Sequence, residues 1–149
     1  MFENIIKNEH NRHPLIHCIT NYVSINDCAN IVLACGGAPI MAEDINEVSQ
    51  ITSICQGLDI NIGMLNNNKL SSMLKAGATA NELGIPVILD PVGAGSSDYR
   101  IKAVQNLMSN VQFGVIRGNV SEIKAIAAKQ GIHNIAAGVY ETMQKNKSA

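Results

Sequence analysis

The feature that most constrains the fold is the regular alternation of short apolar runs with helical patterns along most of the chain. Residues 87–90 and 114–117 are two such runs, and each leads into a Gly- or Asn-led turn followed by a helical pattern. Short links between strand and helix units are typical of a parallel sheet covered on both faces. With 149 residues the chain can bury a real core, so we predict one α/β domain over residues 1–149.

The same periodicities predict the individual elements. In the first helix, Ile25, Cys28, Ala29, Val32 and Leu33 recur at the spacing of one helix face. A polar segment at 130–149 breaks the rhythm and is predicted to be a divergent tail. Strands are predicted at 15–20, 36–41, 58–63, 86–90 and 113–117, and helices at 24–35, 46–55, about 70–84, 98–109 and 120–129.

Composition excludes several classes of partner. The net charge is −1 and charges of both signs are scattered, so no basic stripe predicts binding to nucleic acid or to an anionic membrane. Aromatic residues are only 3% of the chain, which argues against stacking of bases on exposed rings. The longest apolar stretch, 31–42, is interrupted by Gly and Pro and is shorter than the ~20 residues of a spanning helix. Residues 1–14 lack the pattern of a signal peptide, so we expect a soluble, cytoplasmic protein.

The four cysteines include no CxxC pair and have no histidine at metal-binding spacing. Reduced, buried thiols are therefore predicted in preference to a disulfide or a zinc site, and no chemical role is assigned to them. His17 lies within a predicted strand and is interpreted as a hydrogen-bonded core residue. The cysteines are Cys18, Cys28, Cys35 and Cys55.

Ionisable side chains follow two of the predicted strands. Asp90 closes the run at 87–90, and Arg117, Asn119 and Glu122 follow the run at 114–117. Ligands of open parallel sheets bind outside the carboxyl ends of the strands, so both groups are predicted to face one crevice. Carboxylates beside an arginine suit Mg²⁺ and phosphate chemistry. The backbone N–H groups of residues 93–97 could also hold an anion.

Each of these residues also has a local structural interpretation. Asp90 precedes a proline and could cap a turn. Asn119 and Glu122 have the spacing of a capping box, whereas a guanidinium at Arg117 can reach phosphate oxygens with two donors. Asn21 or Ser24 could cap the first helix. Met41 ends the second strand, where methionine commonly fills a core.

Five separate blocks of this chain, in this order, resemble the hydroxyethylthiazole kinase family of thiamine salvage, over roughly residues 13–127. The resemblance implies a ribokinase-like α/β fold with an open, mainly parallel sheet, and a homo-trimer. It further implies transfer of the γ-phosphoryl group of ATP, with Mg²⁺, to the primary alcohol of 4-methyl-5-(2-hydroxyethyl)thiazole. The blocks are HCITNYVSINDCAN (17–30), GAPIMAED (37–44), INIG (60–63), AGATANELGIPVILDPVGAG (76–95) and IRGNVSEI (116–123).

The resemblance also implies roles for particular residues. Asn21, Val23 and Met41 are expected to line the thiazole pocket, which in the family lies between neighbouring subunits. Arg117 is expected to contact the ATP phosphates. Asp90 and Glu122 are expected to organise Mg²⁺, directly or through water. Glu122 can serve both as a cap and in the metal site, because a helix N-terminus also favours negative charge.

The chain departs from the family pattern in two ways. Family members are longer than 149 residues and carry a Gly-Thr-Gly-Cys-like loop that forms an anion hole, and nothing here matches that loop. Met64 stands where the family has a threonine. No catalytic residue is therefore identified. We expect the sheet to be incomplete, and the 149-residue chain to be poorly stable and nearly inactive alone.

Three functions remain open on the sequence. The first is a thiazole kinase, and the second is a module that binds the thiazole alcohol without phosphorylating it. The third is a structural partner of a separately encoded second half.

Overall fold

Five parallel strands joined by helices form the part of the chain described by the computed structural model, residues 13–129. Every strand and helix predicted within that range is present, although the strands are shorter than predicted. The divergent tail predicted at 130–149 lies outside the described residues. The elements are β1 Leu15–Ile19, α1 Ile25–Ala34, β2 Ala38–Ile40, α2 Val48–Ser53, β3 Gly57–Asn61, α3 Asn67–Glu82, β4 Val87–Asp90, α4 Asp98–Asn110, β5 Val115–Ile116 and α5 Val120–Lys129.

The strand order, β2-β1-β3-β4-β5, places a switch point between β1 and β3. The chain adds β2 on one side of β1, and then crosses to the other side of β1 to add β3, β4 and β5 in turn. Cys18 is paired with Asp59 and Asn61 with Asp90, so the carboxyl ends of β1, β3 and β4 share one edge. This is where open α/β sheets bind ligands.

One face of the sheet carries the hydrophobic core. Ile60 and Leu89 are fully buried there, and so are Met73 of α3 and Leu107 of α4. The long helix α3 ends beside Gly84, whose φ of 69° is a backbone conformation that glycine adopts without strain. The predicted C-terminal glycine of that helix is thereby confirmed.

The opposite face is only partly covered. Side chains alternate along a strand, so Cys18, Asp59 and Ile88 point away from the core face. Helix α1 packs on this side, next to Cys18 and Asp59, which confirms helices on both faces. Ile88 remains 41% exposed and Val115 of β5 remains 53% exposed.

His17 is a core histidine, as predicted. It is completely buried, and its Nε2 donates to the carbonyl of Ala42 at 2.8 Å. Nδ1 therefore accepts from the Thr52 hydroxyl at 2.9 Å. Burial lowers the pKa of His17 below its usual value, so the ring is held neutral.

All four cysteines are free thiols, as predicted, but the prediction that all four are buried was wrong. Cys18 and Cys55 are buried, whereas Cys28 is half-buried and Cys35 is exposed. Cys35 is exposed because it caps the C-terminal end of α1, where the chain turns toward the edge strand β2. In the described range, no helix is long and apolar enough to span a membrane.

Candidate functional site at the carboxyl edge of the sheet

A continuous chain of hydrogen bonds runs along the carboxyl edge of the sheet. Asn21 Nδ2 donates to Asn61 Oδ1 at 3.2 Å, and Asn61 Nδ2 donates to Asp90 Oδ2 at 3.1 Å. Arg117 Nη1 donates to the same Asp90 oxygen at 3.0 Å. The chain starts at the switch point between β1 and β3 and crosses four strand ends. It therefore brings together three residues that the sequence analysis had placed in separate motifs.

Asn21 holds the turn between β1 and α1. Its Oδ1 accepts hydrogen bonds from both the backbone N–H and the hydroxyl of Ser24, each at 3.1 Å. Ser24 occupies the N-cap position of α1 but makes no capping bond with its own side chain. Of the two predicted capping residues, Asn21 thus stabilises the turn through its side chain, and its amide nitrogen remains free to reach Asn61.

Asn61 is the central residue of this network, and the sequence analysis did not single it out. Besides its bonds to Asn21 and Asp90, its Oδ1 accepts the backbone N–H of Gly63 at 2.8 Å. A Cβ at Gly63 would lie 2.9 Å from polar atoms of both asparagines, so only glycine fits without a shift. The Asn-x-Gly sequence at the end of β3 was the signal that could have identified this turn.

Asp90 and Arg117 differ greatly in exposure. The side chain of Asp90 is 15% exposed, whereas that of Arg117 is 77% exposed. Burial raises the pKa of Asp90, although the Arg117 guanidinium beside it acts in the opposite direction. No described residue donates a hydrogen bond to Asp90 Oδ1, so this oxygen is available to a cation.

Glu122 connects two loops of the site. Its Oε2 accepts the Asn119 N–H at 2.8 Å, while Asn119 Oδ1 accepts the Glu122 N–H at 3.0 Å, which confirms the predicted capping box. Its Oε1 accepts the Gly93 N–H at 2.9 Å. The charge of Glu122 also raises the pKa of Asp90, so the two carboxylates act on each other electrostatically. Glu122 is therefore a helix cap that also holds the loop at Gly93 and acts on the charge of Asp90.

Arg100 fixes the loops that follow β3 and β4, and the sequence analysis missed it. Its Nη1 donates to the carbonyls of Ile62 and Val92 at 2.7 and 2.8 Å, and its Nη2 donates to that of Gly63 at 2.7 Å. Three of the five donors of this partly buried guanidinium therefore bond to loop carbonyls. An arginine in the first turn of a helix, three residues after the N-cap Ser97, was the available signal.

The other two residues predicted to contact substrate lie at the same edge but outside the hydrogen-bond chain. Val23 is 89% exposed in the turn between β1 and α1. Met41 is half-buried directly after β2. Met64, which departs from the family pattern, is 43% exposed beyond β3.

Lys69 forms a second buried polar group, which the sequence analysis also missed because a helical lysine is ordinarily solvated. It is 4% exposed; its Nζ donates to the Thr20 carbonyl at 2.5 Å and pairs with Glu43 at 2.8 Å. Nζ also lies 4.7 Å from the centre of the Tyr22 ring. A cavity of about 550 Å³ beside it contains none of the predicted site residues; it is lined by Glu43, Asp44, Ile45, Asn66, Asn68, Lys69, Ser71 and Ser72.

Comparison with known proteins gives a consistent result. Residues 6–148 match the model of the hydroxyethylthiazole kinase family. The chain is 60% identical over 132 residues to a hydroxyethylthiazole kinase of Clostridium acetobutylicum, covering 89% of this chain and 48% of that protein. It is also 50% identical over 131 residues to a hydroxyethylthiazole kinase of Methanobrevibacter smithii. That match covers 86% of this chain and 46% of the relative.

A solved structure has the same fold. The structure of a hydroxyethylthiazole kinase protein from Pyrococcus horikoshii OT3 superposes with a TM-score of 0.83 and 39% sequence identity. The superposition covers 86% of this chain and 50% of that one. The chain thus spans about half the length of the relatives that it matches.

Proposed function

The chain belongs to the hydroxyethylthiazole kinase family, and from that premise we propose that its carboxyl-edge site serves ATP- and Mg²⁺-dependent phosphorylation of 4-methyl-5-(2-hydroxyethyl)thiazole. The observation that carries the proposal is the hydrogen-bond chain from Asn21 through Asn61 and Asp90 to Arg117. It links the predicted substrate end of the site to the predicted phosphate end. Phosphoryl transfer requires such fixed relative positions more than it requires covalent chemistry from the protein.

The donor set at Asp90 and Glu122 fits Mg²⁺. Both side chains offer hard carboxylate oxygens, which this ion prefers. Asp90 Oδ1 is available for direct contact, whereas both oxygens of Glu122 already accept backbone N–H groups. Glu122 therefore suits contact through water. When bound, Mg²⁺ would neutralise charge on the phosphates of the nucleotide.

Arg117 is suited to the phosphate oxygens of ATP. Its side chain is largely exposed, and its guanidinium can turn from Asp90 to a phosphate without breaking buried contacts. Asn61 keeps Asp90 in place during such a movement because its bond to Asp90 does not depend on the arginine. The arrangement supports positioning and charge neutralisation as the contribution of this half of the site.

The thiazole is proposed to lie near Asn21, Val23 and Met41. Val23 is an apolar side chain that is 89% exposed in this chain, which is the condition expected of a pocket wall completed by a second subunit. The proposal therefore includes a homo-trimer, as in the family, acting in the cytoplasm on a small-molecule substrate. Size-exclusion chromatography with light scattering tests the trimer directly.

The decisive experiment follows phosphoryl transfer by ³¹P NMR with the 149-residue chain, Mg²⁺, ATP and the thiazole alcohol. Binding of each ligand is measured in parallel by calorimetry, for the unchanged chain and for Asp90→Asn. Asp98→Asn provides a matched control, because Asp98 is an exposed carboxylate in the first turn of α4.

Formation of the thiazole phosphate, at the low rate expected without the family's anion-hole loop, supports the proposal if it is lost in Asp90→Asn and kept in Asp98→Asn. Binding of the thiazole alcohol without transfer contradicts it for this chain and supports the binding module instead. Failure of both ligands to bind overturns the assignment of the site.

A further inference from the structure

A group of metal-ligating side chains lies on the sheet face opposite the core. It includes neither Asp90 nor Glu122, although the charge of Asp90 reaches Asp59 and raises its pKa. Cys18, Cys28 and Asp59 each offer one ligand atom, and these three atoms all lie within 4.8 Å of one another. They come from three different elements, β1, α1 and β3. Cys18 and Asp59 are direct neighbours in the register of the parallel strands, and Cys28 approaches both from the helix above. Sequence spacing gives no hint of this group because only the packing of α1 assembles it.

The three side chains are buried or half-buried, and they form few hydrogen bonds with the rest of the described residues. Cys18 is 2% exposed, and Cys28 and Asp59 are half-buried between α1 and the sheet. No described residue donates a hydrogen bond to the Asp59 carboxylate. The Cys18 thiol forms a hydrogen bond with the Cys28 thiol and otherwise has a long contact, 3.8 Å, to the Ile16 carbonyl. A carboxylate enclosed without donors is costly, and a bound cation would remove that cost.

We propose that Cys18, Cys28 and Asp59 form a Zn²⁺ site that ties helix α1 to strands β1 and β3. Two thiolates and one carboxylate are ligands that zinc accepts, and thiolates favour zinc over Mg²⁺. The Zn–S bond is ~2.3 Å long and the Zn–O bond ~2.1 Å, so the ligand atoms of a tetrahedral zinc site lie about 3.5–3.8 Å from one another. A separation of at most 4.8 Å therefore requires only a small contraction around the ion. The fourth position remains for water.

Binding is a ligand exchange without oxidation or reduction. The two thiols lose their protons to solvent, and the resulting thiolates and the Asp59 carboxylate each donate an electron pair to Zn²⁺. Metal binding of this kind releases protons and adds its free energy to the folded state. The tie would also fix the turn at Asn21–Ser24, because that turn directly connects β1 to α1.

The first experiment titrates the reduced 149-residue chain with Co²⁺ as a spectroscopic probe for zinc. We expect one equivalent to bind, with a sulfur-to-metal charge-transfer band and the intense visible bands of a tetrahedral site. Asp59→Asn and Cys28→Ser should each weaken binding by more than the ~10–100-fold that loss of an outer-sphere partner costs. Asp27→Asn and Cys35→Ser are matched controls, because they change exposed residues on or next to α1 and should leave the spectrum unchanged.

The second experiment needs no variant and therefore does not depend on correct folding of a mutant. Iodoacetamide labelling is followed by mass spectrometry with Zn²⁺, with Mg²⁺ and without metal. Zn²⁺ alone should protect Cys28, while Cys35 is labelled equally in all three conditions, and Zn²⁺ should raise the melting temperature more than Mg²⁺ does at the same concentration. Equal labelling of Cys28 in every condition, or a Co²⁺ spectrum without sulfur charge transfer, overturns the proposal. Protection that coincides with a Cys18–Cys28 disulfide, seen as a mass lower by two hydrogens, also overturns it.

Discussion

Arg117 donates to Asp90 Oδ2 at 3.0 Å, yet the side chain of the arginine is 77% exposed and that of the aspartate only 15%. The pair therefore joins a fixed anion to a cation that is free to move. Asp90 is held from its other side by Asn61, whereas solvent surrounds most of Arg117. Exposed ion pairs contribute little to stability, so this pair is better explained as part of a binding site.

Replacing Arg117 by glutamine should separate binding from stability. We expect the free energy of unfolding to change by less than ~1 kcal/mol, because exposed pairs are worth little. Affinity for Mg²⁺·ATP should fall about 10- to 100-fold, the equivalent of ~1.5–3 kcal/mol for lost charge-assisted bonds. Urea denaturation and calorimetry measure the two quantities.

Lys102→Gln is the matched control for Arg117→Gln, since Lys102 is an exposed cation on α4. This variant should change neither the free energy of unfolding nor the affinity for Mg²⁺·ATP. A large loss of stability without a change in nucleotide affinity would show that Arg117 is structural.

Asn61 should be important for the stability of the carboxyl edge. Changing it to leucine removes its bonds to Asn21, Gly63 and Asp90 together. The Asn21 amide nitrogen and the Gly63 N–H are then left unpaired, whereas Asp90 keeps its bond to Arg117. We expect a loss of about 2–4 kcal/mol in the free energy of unfolding, since each unsatisfied group costs ~1–3 kcal/mol. Chemical denaturation gives the value. Asn110→Leu, at the exposed end of α4, should cost less than half as much.

Glu122→Gln should loosen two loops at once. An amide keeps one carbonyl oxygen, so it cannot accept the N–H groups of both Asn119 and Gly93 as the carboxylate does. The expected loss is ~1 kcal/mol, typical of a capping interaction. Hydrogen exchange should become faster at the amides of Gly93 and Asn119 and stay unchanged at Gly63. Exchange that changes at Asn119 alone would show that the bond to Gly93 contributes nothing.

Arg100 offers a test of how the loops are fixed. Arg100→Lys keeps the charge but cannot reach three carbonyls in two different loops with one ammonium group. We expect a loss of about 1–3 kcal/mol, because carbonyls of Ile62, Val92 or Gly63 lose their donor. Lys102→Arg is the control on the same helix. Equal thermal stability of Arg100→Lys and the unchanged chain would contradict this role.

The sequence predicted the order and position of the elements because hydrophobic periodicity depends on neighbours within each element. The α3 pattern ending near Gly84 and the capping box of Asn119 and Glu122 are local features, and both are confirmed. The strand-end pattern singled out Asp90 and Arg117, the first turn singled out Asn21, and the family resemblance then gave these residues roles. The fold brings all three into one network.

The residues that were missed depend on contacts between distant parts of the chain. The sequence pattern predicts Asn61 to be an ordinary residue at a strand end. It predicts Arg100 and Lys69 to be solvent-exposed cations on helices. Asn61 bonds to Asp90, Arg100 to Ile62 and Lys69 to Thr20, which lie 29, 38 and 49 residues away in the sequence. Cys28 was likewise expected to be an inert thiol, because its proximity to Asp59 depends on how α1 packs against the sheet. Pairings of this kind follow from tertiary packing, which local patterns do not encode.

The buried ring of His17 should make stability depend on pH. Burial lowers its folded-state pKa below 6.5, although the Ala42 carbonyl and the charge of Glu47 partly oppose this. Below about pH 6.5 the unfolded chain binds a proton that the folded chain refuses, so the free energy of unfolding falls as the pH decreases toward the folded pKa. Above that window the contribution is constant. Asp59 acts in the opposite direction, because burial raises its pKa to about 6 and it adds stability as the pH falls. The contribution of His17 is therefore measured as a difference between the unchanged chain and a variant without this histidine, by urea denaturation from about pH 5 to 7.5.

His17→Gln isolates the effect, because its amide can still donate to Ala42 but does not titrate. The slope below about pH 6.5 should become shallower in this variant than in the unchanged chain. His13→Gln is the matched control, since His13 contacts the Gly36 carbonyl from a partly buried position, and it should keep the slope that His17 produces. If His17→Gln and the unchanged chain lose stability in parallel on acidification, the neutral buried histidine is not the cause.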